Sequence, residues 1–317
     1  MKKLLFLINP ISGKTEGQKI QEKLPSILSR YLPQNQYDIV LTEPNMLAQM
    51  SCLSPDFEIL VAAGGDGTIS NIIHAMVSLN RKHKVGLIPM GTGNDLARSL
   101  GFLDIEDRSL ENRIKIILSG NTKKVDTLEI NNRYVCINYL GLGNDARILN
   151  DFNGLRMNPA NRYLFSGSMG KGVYAFAGLK SLNYKIAAGA KLFCKTRKNK
   201  EIQLDFNSEI RAILISNITS YGGGTSLSSL TQTDDGFFEV TVIKNIKEWA
   251  LLHLARFTKK PVNIICPEID QIQTDRVEVS LPKTTFCQID GEIISGLSGT
   301  EKKITVEVKS SVDMIVP

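Results

Sequence analysis

Val61-Ala62-Ala63-Gly64-Gly65-Asp66-Gly67-Thr68 turns an apolar run, Ile59 to Ala63, into three glycines wrapped round one aspartate and one threonine. Ile69, Ile72, Ile73, Met76 and Val77 then recur at helical spacing. The stretch reads as a strand, a tight loop and a helix N-terminus. Glycine has no Cβ to hold an anion away, so such a loop can bring backbone amides against phosphate oxygens. The same residues also make an ordinary turn, and on this stretch alone the two readings weigh the same.

The flanking sequence favours the phosphate. Lys3 to Ile8 reads as a strand that ends in the loop Asn9-Pro10-Ile11-Ser12-Gly13-Lys14. Ile20, Leu24, Ile27, Leu28 and Tyr31 mark a helix, and Tyr37 to Thr42 a second strand. After the Gly64 loop and its helix comes a strand at Val85 to Ile88, ending in Pro89-Met90-Gly91-Thr92-Gly93-Asn94-Asp95-Leu96-Ala97-Arg98. Alternating strands and helices predict a parallel sheet with helices on its faces. Ligands bind such sheets at the carboxyl ends of the strands, where the loops after Ile8, Ala63 and Ile88 all fall. The Walker pattern is absent, and leucine at position 96 breaks a Gly-x-Gly-x-x-Gly turn. Both disfavour the two commonest phosphate-binding classes.

The chain has 317 residues, room for two domains, and a net charge of +6 that suits an anionic nucleotide or membrane surface. Its basic residues are dispersed and lack an interleaved aromatic platform, which argues against nucleic acid. The N-terminal apolar run is too short for a secretory signal and is stopped by Asn9-Pro10. No stretch approaches a membrane-spanning length. Five scattered cysteines read as reduced thiols of a cytoplasmic protein. His74, His83 and His253 fall in no catalytic or metal motif, and Trp249 reads as a packing residue.

Near residue 125 the texture changes. Strand-like segments follow at Thr127–Ile130, Tyr134–Tyr139, Lys191–Cys194, Ile210–Ser216, Phe237–Ile243, Val277–Leu281 and Ile304–Val308, with helices expected at Gly172–Leu182 and Ile246–Phe257. This predicts an antiparallel β-sandwich. Asp234-Asp235-Gly236 and Asp290-Gly291-Glu292, the latter after an apolar strand Thr285 to Ile289, read in isolation as tight turns.

Three motifs in order, Asn9-Pro-Ile-Ser-Gly13, Gly64-Gly-Asp-Gly-Thr68 and Pro89-Met-Gly-Thr-Gly-Asn-Asp-Leu-Ala-Arg98, resemble the catalytic domain of diacylglycerol kinases. Asn138-Tyr-Leu-Gly-Leu-Gly-Asn-Asp-Ala146 and Ile218-Thr-Ser-Tyr-Gly-Gly-Gly-Thr225 resemble the accessory domain of the eukaryotic type. The resemblance implies a two-domain lipid kinase with its active site in the interdomain cleft. Residues 1–124 form an α/β nucleotide-binding domain, to which 311–317 return, and 125–310 form the β-sandwich.

The resemblance also implies an ATP site at Asn9, Pro10, Ile11, Ser12, Gly13, Thr42, Gly64, Gly65, Asp66, Gly67, Thr68, Thr92, Asn94 and Asp95, joined by Lys14. Asp66 would handle the catalytic Mg²⁺ and Glu292 would be the general base. A second Mg²⁺ would be held by Asp235 and the carbonyls of Gln232 and Phe237. The acceptor would be diacylglycerol, giving phosphatidate. Another lipid alcohol (a sphingoid base, ceramide or polyprenol) or an inactive lipid- or nucleotide-binding module is the alternative. A lipid substrate implies peripheral membrane association, with Lys171, Lys180 and Lys185 beside Tyr174 and Phe176 as candidates. A homodimer, and export into a host cell, are both compatible with these features.

Overall fold

The computed structural model describes residues 3–13, 15–91, 93–157, 183–282, 285–294 and 302–317. Its first part alternates strand and helix: β1 (Leu4–Ile8), α1 (Glu16–Leu28), β2 (Tyr37–Leu41), α2 (Met46–Cys52), β3 (Ile59–Gly64), α3 (Asp66–Ser78), β4 (Lys84–Pro89), α4 (Asp95–Ser99) and α5 (Leu110–Ser119). The strands pair in parallel in the order β4-β3-β1-β2. β1 and β3 are buried along their whole length, as strands covered on both faces must be. Leu5, Leu7, Leu60 and Ala62 pack to one side with Ile69, Ile72, Ile73 and Met76 of α3. Leu4, Phe6, Ile8, Val61 and Ala63 pack to the other with Ile20, Leu24 and Leu28 of α1.

The second part is rich in β-structure: β5 (Thr122–Ile130), β6 (Tyr134–Cys136), β7 (Tyr139–Gly143), α6 (Asn144–Met157), β8 (Ala190–Thr196), β9 (Glu201–Phe206), β10 (Ala212–Ser216), β11 (Phe238–Ile243), β12 (Asp270–Leu281), β13 (Cys287–Ile289), β14 (Glu292–Ile293) and β15 (Lys302–Ile315). Apart from the contact of β15 with β4, its pairings are antiparallel, and residues of β5 to β13 and β15 share one apolar core. The whole is a two-domain α/β fold on a mixed sheet.

β15 joins the two parts. Its first half pairs antiparallel with β12, β5 runs beside it from Val306 to Ile315, and Met314 pairs in parallel with Val85 of β4. This partnership explains why β5 begins at Thr122, upstream of the apolar run at Thr127. Val125 lies inside that ladder.

Two expectations need correction. The strand foreseen over Tyr134–Tyr139 is split at Ile137-Asn138, because those amides donate to the Asp290 carboxylate and not to a neighbouring strand. A helix, α6, follows β7 where none was expected. The helix foreseen at Gly172–Leu182 lies outside the described residues. The one at Ile246–Thr258 is present, with Trp249 and Leu252 packed inward.

Candidate active site

Because β1 to β4 are parallel, the loops that follow them emerge at one edge. Asn9 Nδ2 donates to Thr68 Oγ1 at 2.8 Å, which ties the first loop to the second. Ser12 Oγ accepts from Gly65 N at 3.1 Å. The third loop is pressed so close that a Cβ on Gly91 would lie 2.9 Å from Gly65 Cα, a contact only glycine permits. Asn94, in the left-handed region at φ 53°, accepts from Gly91 N (2.9 Å) and donates to Gly91 O (2.6 Å). Thr42 N donates to Ile8 O at the same edge. Thr92 and Lys14 lie outside the described residues.

α3 begins at Asp66 and no side chain caps its N-terminus. Its first-turn amides and helix dipole favour an anion. Beside Gly13 opens a cavity of about 500 Å³ lined by Lys19, Lys23, Arg108 and Arg113, with Glu16. The edge thus offers backbone donors and basic side chains together, a combination suited to phosphates.

Asp66 is the exception in this setting. Its Oδ1 is buried with no hydrogen-bond partner. Burial, reinforced by the charge of Asp95, pushes its carboxyl up to about 6, while the amides of Asn94, Leu96 and Asp95 oppose the rise. An orphaned, desolvated carboxylate oxygen at the phosphate edge fits a divalent cation carried by a polyphosphate.

Asp95 has a different setting. Its Oδ1 accepts from Ser220 Oγ at 2.5 Å and from Gly223 N at 2.9 Å, and its Oδ2 accepts from Gly223 N at 3.0 Å. It thereby fastens the third loop to the glycine strap Gly222-Gly223-Gly224, all three at positive φ.

α3 makes further ties across the seam. Ser70 Oγ donates to Asp290 Oδ2 (2.5 Å), Asn71 Nδ2 donates to Glu292 Oε1 (3.0 Å), and His74 Nδ1 accepts from Val135 N (3.3 Å). Asp290 is buried at φ 49°, with Ile137 N and Ser70 on Oδ2, and Asn138 N, Tyr139 N and Cys136 Sγ on Oδ1. Glu292, next along the β13–β14 turn, is exposed. The sequence reading missed Asp290, Ser70 and Ser220. Their one local trace is the Asp-Gly turn itself.

Of the set implied for a second cation, the Asp235 carboxylate is held by protein groups. Asp235 Oδ2 pairs with Arg197 Nη1 at 2.7 Å and Oδ1 accepts from Phe237 N at 3.1 Å. The Arg197 guanidinium also lies over the Phe237 ring at 4.7 Å. The Asp235 carboxylate is thus paired with a cationic side chain.

A parallel sheet with phosphate-ready loops, joined to a β-rich domain that presents a carboxylate at the seam, defines a two-domain phosphotransferase. Residues 3–130 match the model of the diacylglycerol kinase catalytic domain, and residues 135–293 that of the diacylglycerol kinase accessory domain. The chain belongs to the diacylglycerol kinase family, and it is an enzyme of the kinase class. It is 24% identical over 307 residues to a diacylglycerol kinase of Bacillus subtilis, covering 94% of this chain and 92% of that protein. It is 27% identical over 282 residues to the eye-specific diacylglycerol kinase of Drosophila melanogaster, covering 75% of this chain and 18% of that protein. The crystal structure of a diacylglycerol kinase from Bacillus anthracis superposes with a TM-score of 0.68 at 16% identity, covering 100% of this chain and 97% of that one. The last likeness concerns the fold.

Proposed function

We propose that the protein transfers the γ-phosphoryl group of ATP to the free hydroxyl of diacylglycerol, giving phosphatidate, at a membrane surface to which it binds peripherally from the cytoplasm. The observation that carries this reading is that one helix reaches both halves of the proposed site. α3 starts at Asp66 beside the phosphate loops and holds Glu292 through Asn71. Five residues separate the two, a rise of about 7.5 Å along the axis.

In this reading the nucleotide phosphates lie over Gly64–Thr68, with Asn9 to Gly13, Thr42, Thr92, Asn94 and Asp95 around them. Asp66 Oδ1 holds the cation of the nucleotide. When bound, Mg²⁺ supplies positive charge to the phosphate oxygens. Glu292 accepts the proton of the lipid hydroxyl as its oxygen bonds to the γ-phosphorus and the bond to the β-bridging oxygen breaks, releasing ADP. Asn71 orients the receiving carboxylate and Asp290 fixes the turn that bears it. Most of the remaining catalysis is positioning and charge complementarity.

Among the described residues no helix is long and apolar enough to cross a membrane. The test is one assay: radiolabelled ATP with diacylglycerol, sphingosine, ceramide or undecaprenol in mixed micelles. Label in phosphatidate is expected. Label in another lipid, with none in phosphatidate, overturns the acceptor.

A further inference from the structure

The Ile246–Thr258 helix is apolar on two sides, and only one of them is covered. Trp249, Leu252 and Ala255 face inward onto Leu214, Tyr221, Val262 and Ile269. Ile246, Ala250, Leu254 and Phe257 fall within about 80° of one another at 100° per residue, on the opposite side. Ile246 is 47% exposed, Leu254 49% and Phe257 81%. Ile264 of the following turn, Val262–Ile265, adds to the surface at 55%. No described residue covers this stripe. A lone exposed apolar side chain is ordinary, but an aligned row of them marks a contact surface.

The rim of the stripe indicates what kind of contact. Lys247, Arg256, Lys259 and Lys260 are exposed on the helix and just past its end, and the exposed Glu268 pairs with Lys247 at 3.8 Å. The one acid of the helix, Glu248, is buried and turned back onto Lys244 N (2.6 Å) and Asn245 Nδ2 (2.7 Å). Lys259 caps the helix at φ 54°, a left-handed position where glycine is the easier residue. The charged Lys259 side chain there is exposed.

An apolar stripe with a predominantly basic rim is the pattern of a helix lying in the plane of an anionic lipid surface. The position suits the chemistry. Arg256 reaches Gly222 O at 3.5 Å, and the strap it touches is the one that Asp95 binds through Gly223. The end of the stripe therefore abuts the seam of the proposed active site.

We infer that the outer face of this helix, with Ile246, Leu254, Phe257 and Ile264 as apolar contacts and Lys259 and Lys260 as phosphate contacts, docks the protein on an anionic phospholipid bilayer. This rests on the lipid-kinase reading for its purpose, since the acceptor lies in the membrane, but not for its geometry.

The test compares the wild type with Leu254→Ser/Phe257→Ser and with Lys259→Glu/Lys260→Glu. All four positions are exposed, and circular dichroism checks that the folds match. Sedimentation uses phosphatidylcholine vesicles with and without phosphatidylglycerol. The wild type is expected to bind the anionic vesicles at least tenfold better, and both variants to lose at least tenfold of that binding. Activity on diacylglycerol in detergent micelles should be unchanged in the variants, while activity on diacylglycerol embedded in anionic vesicles falls at least tenfold.

Variants that sediment like the wild type overturn the inference. So does a wild-type dimer that Leu254→Ser/Phe257→Ser converts to monomers with vesicle binding intact, since a second copy of the chain would then be the occupant. If the wild type sediments as expected but labels no diacylglycerol in micelles, the surface stands and the acceptor assignment fails.

Discussion

Ser70 Oγ donates to Asp290 Oδ2 at 2.5 Å across 220 residues of chain, from the helix that begins at the phosphate loop to the turn that bears Glu292. The bond is buried and its acceptor is an ionisable carboxyl, so it belongs to the stronger class of hydrogen bond. Ser70→Ala removes this tie alone and should cost about 1–3 kcal/mol. Asp290→Ala strands three backbone amides as well, and should cost at least about 3 kcal/mol. Urea denaturation measures both. Equal small losses would mean that the amides find water once the carboxylate is gone.

Asn71 donates a hydrogen bond to Glu292, and a glutamine can keep that bond. Glu292→Gln should therefore leave the fold and the KM for ATP nearly unchanged while kcat falls by roughly 10²–10⁴. Steady-state kinetics with diacylglycerol micelles gives both numbers. Normal turnover would remove Glu292 from the reaction.

Asp66 makes stability depend on pH in the metal-free protein. Its carboxyl is raised from 3.8 to about 6 by burial and by Asp95. Between these values the folded chain holds a proton that the unfolded chain has released. Stability contributed below pH 4 is therefore lost as the pH rises toward 6. Asp66→Asn should reduce that downward slope by about one proton. Urea titrations from pH 4 to pH 7 on metal-free protein check the sign. An unchanged slope would show that Asp66 ionises normally in the fold.

The first half of the chain was legible because its signals are local. Strands covered on both faces, such as β1 and β3, read as unbroken apolar runs, and their ends read as glycine and asparagine loops. The seam was not legible. Ile137 and Asn138 leave the strand because their amides find Asp290 more than 150 residues away, and nothing near Tyr134–Tyr139 announces it. Asp95 stands in a loop motif that the sequence displays, yet its partners Ser220 and Gly223 lie on a distant strap. Asp235 read as a cation ligand because its turn resembles one. Its partner Arg197 carries no motif.

The pairing of Asp235 with Arg197 has a measurable consequence. Asp235 pairs with Arg197 at 2.7 Å and accepts from Phe237 N, so its charge is balanced without a cation. Adding EDTA to nucleotide-free protein should then leave the melting temperature unchanged, within about 1 °C. A bound structural cation would instead couple its binding energy to folding, and its removal would lower the transition by several degrees. Arg197→Ala sharpens the contrast, because it leaves Asp235 without its partner beside the Asp126 and Asp234 carboxylates. Burial raises the Asp126 carboxyl, and the nearby charges of Asp235 and Asp234 add to the rise. The variant should melt lower than the wild type, and millimolar Mg²⁺ should restore part of the loss. A wild type that EDTA destabilises as strongly as the variant would show that the cation, not Arg197, balances this turn.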